Sequence, residues 1–196
     1  MKKIILIIFC FTLPLLVHAQ KEIGTTTIYP RLGLNSSKFT NDGIVDGQME
    51  EYYSSKYSTS FTGGLELQHQ LSYIFAGSIG VLYSRQGTDY ERMADAKLSI
   101  KTDNILVPVL LVATTRIGLS LKAGIQPELT VHSNANNYLN KVNLSIPVGI
   151  SYEWNNIALD VRYNIGVTKI YKDESSSDKP SHGSTFLITL GYGFDL

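Results

Sequence analysis

Ile157-Ala158-Leu159-Asp160-Val161-Arg162-Tyr163-Asn164-Ile165-Gly166-Val167 decides the fold of this chain: every odd position is apolar, and the even positions include Asp160, Arg162 and Asn164. A period of two is the mark of a β-strand, whose successive side chains point to opposite faces. The same alternation sets Val142, Leu144, Ile146, Val148, Ile150 and Tyr152 against Asn143, Ser145, Pro147, Gly149 and Ser151. It also sets Phe186, Ile188, Leu190, Tyr192 and Phe194 against Leu187, Thr189, Gly191, Gly193 and Asp195. From residue 24 onward no window sustains helical spacing, so the chain is predicted to be all-β.

Outward from this stretch, eight strands are predicted near 25–36, 57–68, 72–86, 101–113, 117–128, 142–153, 156–168 and 184–196. The connections alternate in length. Long polar ones fall near 37–56, 87–100, 129–141 and 169–183, and short ones near 69–71, 114–116 and 154–155. A soluble sandwich has no reason to gather its long loops at one end, whereas outer-membrane barrels have short periplasmic turns and long extracellular loops. The expected fold is an eight-stranded antiparallel up-and-down transmembrane β-barrel.

The sizes of the side chains on the two faces fix which one points outward. In 72–86, Tyr73, Phe75, Ile79, Val81 and Tyr83 share one face, while the other carries Ala76, Ser78, Gly80 and Ser84, with Ile74 and Leu82 blurring the pattern. Eight strands enclose a narrow interior that small and polar side chains fill, leaving bulky apolar ones to face lipid. Tyr73 and Tyr83 are ten residues apart, roughly 33 Å of strand, or about 25 Å when tilted near 40°, the height of an apolar band between aromatic girdles. Tyr152, Tyr163, Tyr192 and Phe194 are read as further girdle residues. Ile105-Leu106-Val107-Pro108-Val109-Leu110-Leu111-Val112 does not alternate, and its faces stay unassigned; Pro108 is expected to mark a bulge, and Pro147 raises the same question.

Residues 1–19 read as a secretory signal peptide ahead of a barrel domain over 20–196. Lys2 and Lys3 precede an apolar stretch from Ile4 to Val17, too short to span a bilayer as a helix, and Val17-His18-Ala19 supplies small residues for cleavage after Ala19. Cys10, the chain's one cysteine, leaves with that segment, so disulfides and thiolate chemistry are excluded from the mature protein. Lys plus Arg equals Asp plus Glu at 17 each, and the mature net charge is −2, which leaves no basic excess for nucleic acid. Sixteen glycines, twelve tyrosines and 17% charged residues form a composition that disordered chains lack.

Leu32-Gly33-Leu34-Asn35-Ser36-Ser37, Ile105 to Leu111, Ala123-Gly124-Ile125, Val161 to Val167 and Leu190-Gly191-Tyr192-Gly193-Phe194 occur in an order and spacing that runs along nearly the whole mature chain. In these pieces the chain resembles the PorT-like family of small outer-membrane β-barrels of Bacteroidota. The resemblance implies an eight-stranded barrel in the outer membrane of a diderm bacterium. It also implies insertion by the barrel assembly machinery, although Asp195-Leu196 follow the aromatic Phe194 on which such strands usually finish. The family's best-known member is associated with protein secretion and gliding, a role that fold alone does not transfer.

By parity Arg31, Glu66, Lys122, Asp160 and Arg162 point into the barrel, three positive and two negative, and buried charges must pair, so a lumenal salt-bridge network is expected. Eight strands leave no continuous aqueous channel for transport. A lipid hydrolase or acyltransferase would need Ser, His and an acid together; His132-Ser133 with Glu128, or Asp178 with His182 and Ser184, supply the types from loop-like sequence. His69 falls in a short turn. Asn41-Asp42-Gly43 through Asp46-Gly47, then Glu50-Glu51, does not have the spacing of a calcium loop and reads as turn chemistry. Tyr171 to Pro180 reads as a solvated loop, with adhesion or partner binding as its functional alternative. No phosphate loop, zinc spacing or dinucleotide fingerprint is present, and no cofactor or metal is expected. The expected protein is a non-catalytic outer-membrane structural or interaction component whose partners are membrane lipid, the assembly machinery and envelope or secretion proteins. A soluble periplasmic ligand-binding barrel and an outer-membrane lipid-modifying enzyme are the competing readings.

Overall fold

A computed structural model describes residues 21–40, 54–91, 97–133, 140–168 and 182–196. They form β1 (Thr26–Thr40), β2 (Ser54–Gln70), β3 (Phe75–Glu91), β4 (Lys97–Leu106), β5 (Val109–Thr114), β6 (Leu119–Ser133), β7 (Val142–Trp154), β8 (Ile157–Gly166), β9 (His182–Tyr192) and β10 (Phe194–Asp195). β4 and β5 are one barrel strand interrupted at Val107-Pro108, and β9 and β10 are one interrupted at Gly193. The pairing is antiparallel throughout, and β1 meets β9 from Arg31↔Gly191 to Thr40↔His182, which closes an eight-stranded barrel. Closure leaves no edge strand to be satisfied by lipid, the condition for spanning a bilayer with strands.

The faces divide as the side-chain sizes dictate. Leu65, Ile79, Leu121, Ile125, Val148, Ile150 and Leu190 are exposed on the outside, while Arg31, Asn35, Glu66, Lys122, Asp160, Arg162 and Asn164 are buried inside. A barrel that hides charge and shows leucine is built for an apolar solvent. This distribution stands against the soluble periplasmic barrel.

Several sequence expectations are corrected. Leu71–Ile74 is a turn, so Tyr73 and Ile74 are not strand residues: the Ser72 hydroxyl accepts from the amides of Ile74 (3.4 Å) and Phe75 (3.1 Å), holding the chain in a bend. The long connection expected near 87–100 is largely ladder, with pairs from Gly87↔Lys101 to Glu91↔Lys97. Gly87-Thr88-Asp89-Tyr90-Glu91 on the β3 side has almost no apolar residue, so no period-two pattern reports it as a strand. Pro108 marks no bulge. Ile79↔Val109 and Leu82↔Leu106 keep one register across it, and its carbonyl accepts from Gly80 N at 3.0 Å. Pro147 likewise interrupts the β6–β7 pairing between Ala123↔Val148 and Gln126↔Ser145 without shifting it. The irregularities lie at Tyr57/Thr62 and at Asp103/Asn104.

Two local devices shape the barrel. The β7–β8 hairpin turns through Asn155 (φ 49°) and Asn156 (φ 68°), both left-handed as a tight two-residue turn matching strand twist requires. Gly33 and Gly124 face inward where neighbouring backbone comes close: a Cβ would lie 2.0 Å from the Ile188 carbonyl oxygen at Gly33 and 2.0 Å from that of Val109 at Gly124. Such glycines let strands coil tightly enough to close a barrel of only eight.

Candidate functional site in the barrel lumen

Strand parity delivers five charged side chains to one level of the lumen: Arg31 from β1, Glu66 from β2, Lys122 from β6, and Asp160 and Arg162 from β8. The structure brings all five together. Glu66 Oε1 is 3.1 Å from Arg31 Nη2 and 3.2 Å from Lys122 Nζ, and its Oε2 contacts Arg162 Nη2. Asp160 is 2.7 Å from Lys122 Nζ, 2.6 Å from Arg162 Nε and 3.7 Å from Arg31 Nη1. Each carboxylate therefore touches all three cations, and none of the five residues is more than 4% exposed. Because β6 is four strands from β1 around the closed eight-stranded barrel and β8 is three from β2, the network braces opposite walls. Gly149, the register partner of both Lys122 and Arg162, makes room for it: a Cβ there would lie 2.9 Å from Arg162 Cγ.

A second polar cluster sits toward the short-turn end, and sequence reasoning missed it. The Arg31 guanidinium stands 5.1 Å from the centroid of the Tyr29 ring, and the Tyr29 hydroxyl donates to Glu153 Oε2 at 2.6 Å. Lys21 lies 3.1 Å from Glu153 and donates to Thr27 Oγ1 and Tyr29 Oη, both at 2.8 Å, and to Asp195 at 3.0 Å. Glu153 was legible, since it continues the inward parity of Ser151; Lys21 precedes the first strand, where no periodicity exists. Leu82, Leu106 and Leu187 fill the lumen beside the five-charge network, with Leu187 the register partner of both Arg162 and Asn35. Ala76, Leu110 and Val112 form a further apolar cluster.

Of the residues read as girdle, Tyr73 lies in the β2–β3 turn, and Tyr152, Tyr192 and Phe194 lie near the short-turn end. Tyr83 and Tyr163 lie further up β3 and β8, paired with Gly63 and Ile105, and with Val148 and Phe186. The Tyr192 and Phe194 rings are 4.9 Å apart, and Tyr83 stacks at 5.5 Å on Phe61.

The first catalytic set is not assembled. His132 is exposed whereas Ser133 is buried, and Glu128 faces inward with its Oε1 accepting from Ser145 at 2.6 Å and Gln126 at 3.0 Å. The register slip at Asp103/Asn104 turns His132 away from the lumen. Asp178, the side chain of His182, the Asn41–Glu51 stretch, all of 171–180 and the signal segment lie outside the described residues. Among the described residues no three His, Asp or Glu side chains converge as metal ligands.

A closed barrel with an apolar exterior and a charge-braced interior defines an integral membrane protein of the strand-spanning class. The family model for the outer membrane protein beta-barrel domain matches residues 18–172, and the chain belongs to that family, which places it in the outer membrane. No curated protein matches it. Among solved structures it is similar to the outer membrane protein AlkL determined in DMPC bilayers, at 14% identity, TM-score 0.53, covering 91% of this chain and 93% of that one. It is also similar to Neisserial surface protein A, at 13% identity, TM-score 0.51, covering 85% and 97%. Ail of Yersinia pestis aligns at 16% identity and TM-score 0.49 over 88% and 100%.

Proposed function

We propose that this protein is a non-catalytic structural or interaction component of the outer membrane, whose loops and loop-end rim engage other envelope proteins. The PorT-like resemblance extends this reading to protein secretion in Bacteroidota. The observation that carries it is the five-charge network, which fills the lumen from wall to wall and makes the barrel a rigid peg rather than a conduit. In this reading Tyr73, Tyr152, Tyr192 and Phe194 anchor the chain at one lipid headgroup level and Tyr83 and Tyr163 at the other, and residues 1–19 are removed after export.

The reading is tested by reconstituting the purified barrel into lipid vesicles and following osmotic swelling in small sugars and amino acids. Solute-independent behaviour matching empty vesicles is expected; swelling like that of a porin would overturn it. Enzymatic activity is checked separately by comparing the envelope lipid mass spectra of strains carrying wild type and His132→Ala. Identical spectra are expected, and a lipid species lost in the variant would establish catalysis.

A further inference from the structure

Between the five-charge level and the loops, the lumen holds a small open-mouthed polar cavity of about 40 Å³. Gln86, Asn104, Glu128, Asn143, Asn164 and Thr185 are among its walls, and among the described residues no Lys, Arg or His lines it. Three of these side chains are buried with hydrogen-bonding capacity unused, Gln86 at its Nε2. Asn164 is 2% exposed, and among the described residues neither its Oδ1 nor its Nδ2 has a partner; Asn104 is 4% exposed, and its Oδ1 has none. Asn104 is held in place, because its Nδ2 donates to Thr102 Oγ1 at 3.1 Å. Buried polar atoms in folded proteins are nearly always satisfied, so three unsatisfied amides on one cavity mark a place where something else makes those bonds.

We propose that this cavity binds a neutral polyhydroxylated ligand, taking the edge of a sugar ring that carries two adjacent hydroxyls from the loop end. An amide with both atoms free offers one donor and one acceptor side by side, the complement of two adjacent hydroxyls, each of which both donates and accepts. Glu128, fixed by Ser145 and Gln126, adds a strong acceptor on the same wall. The described lining offers a carboxylate and amides but no cation, which favours a neutral ligand over an anion. A metal ion would meet one carboxylate that already accepts two hydrogen bonds. Asn143 and Gln86 extend the amide lining around the ring's remaining hydroxyls.

The test uses the full mature chain, ¹⁵N-labelled and folded in amine-oxide micelles, a detergent without a sugar headgroup. It is titrated separately with glucose, galactose, mannose, N-acetylglucosamine and calcium chloride into the tens of millimolar. At least one sugar is expected to give saturable shifts in the side-chain amide resonances of Asn104 and Asn164. Asn164→Ala should weaken that binding about tenfold, the loss expected from two ordinary hydrogen bonds. Gel migration without boiling verifies that the variant is folded, and Asn104→Ala serves as the second probe if Asn164→Ala is not. No saturable shift with any sugar, shifts with calcium alone, or undiminished binding in the folded variants would overturn the proposal and leave the space to water.

Discussion

Replacing Glu66 by Ala is expected to lower the unfolding free energy by about 3–5 kcal/mol, the range seen when one member of a buried charge cluster is removed. Glu66 touches Arg31, Lys122 and Arg162, so its loss leaves three cations sharing Asp160 in a space that water does not reach. The cost comes less from the lost attractions than from the uncompensated cations left behind. Glu66→Ala combined with Arg162→Ala should therefore be more stable than the sum of the two single losses implies. Urea unfolding in detergent micelles, followed by the fluorescence of Trp154, measures all three variants. A Glu66→Ala barrel within about 1 kcal/mol of wild type would show that the network does not brace the walls.

Gly124→Val is expected to prevent the barrel from closing, whereas Gly77→Ala should change stability by no more than about 0.5 kcal/mol. At Gly124 an added Cβ would stand 2.0 Å from the Val109 carbonyl oxygen and 2.9 Å from Leu110 Cα, and backbone cannot yield without separating β5 from β6. At Gly77 the only atom within reach is Leu71 Cδ1 at 3.8 Å, an ordinary contact. Refolding yield, read as the fraction migrating as a compact band before boiling, distinguishes the two. Equal yields would mean that the tight coiling at Gly124 is dispensable.

Where one face of a strand meets lipid and the other meets a polar lumen, sequence alone places every side chain. β8 is the clearest case, and Asp160 and Arg162 could be set inside from parity without knowledge of any contact. Arg31, Glu66 and Lys122 were legible for the same reason. Parity fails where the two environments become alike. Leu106, Leu110 and Val112 point inward against Leu82, Leu187 and Ala76 while Val109 and Leu111 point outward, so this strand is apolar on both sides and its faces cannot be read. In the upper part of β3, Gly87-Thr88-Asp89-Tyr90-Glu91 has almost no apolar residue to alternate, which is why paired strand was read there as loop. Lys21 joins its cluster from outside any strand, and the register slip at Asp103/Asn104 reverses parity within β6, a change that needs the backbone to be seen.

The inside-out arrangement of the barrel is tested most directly by membrane fractionation of the natively expressed protein, followed by gel migration with and without boiling in detergent. The expected result is recovery in the outer-membrane fraction, released only by detergent, with a compact unboiled band that shifts on heating. Recovery in the soluble periplasmic fraction without detergent would contradict it, because a chain that shows Leu121, Ile125 and Val148 on its outer surface has no stable place in water.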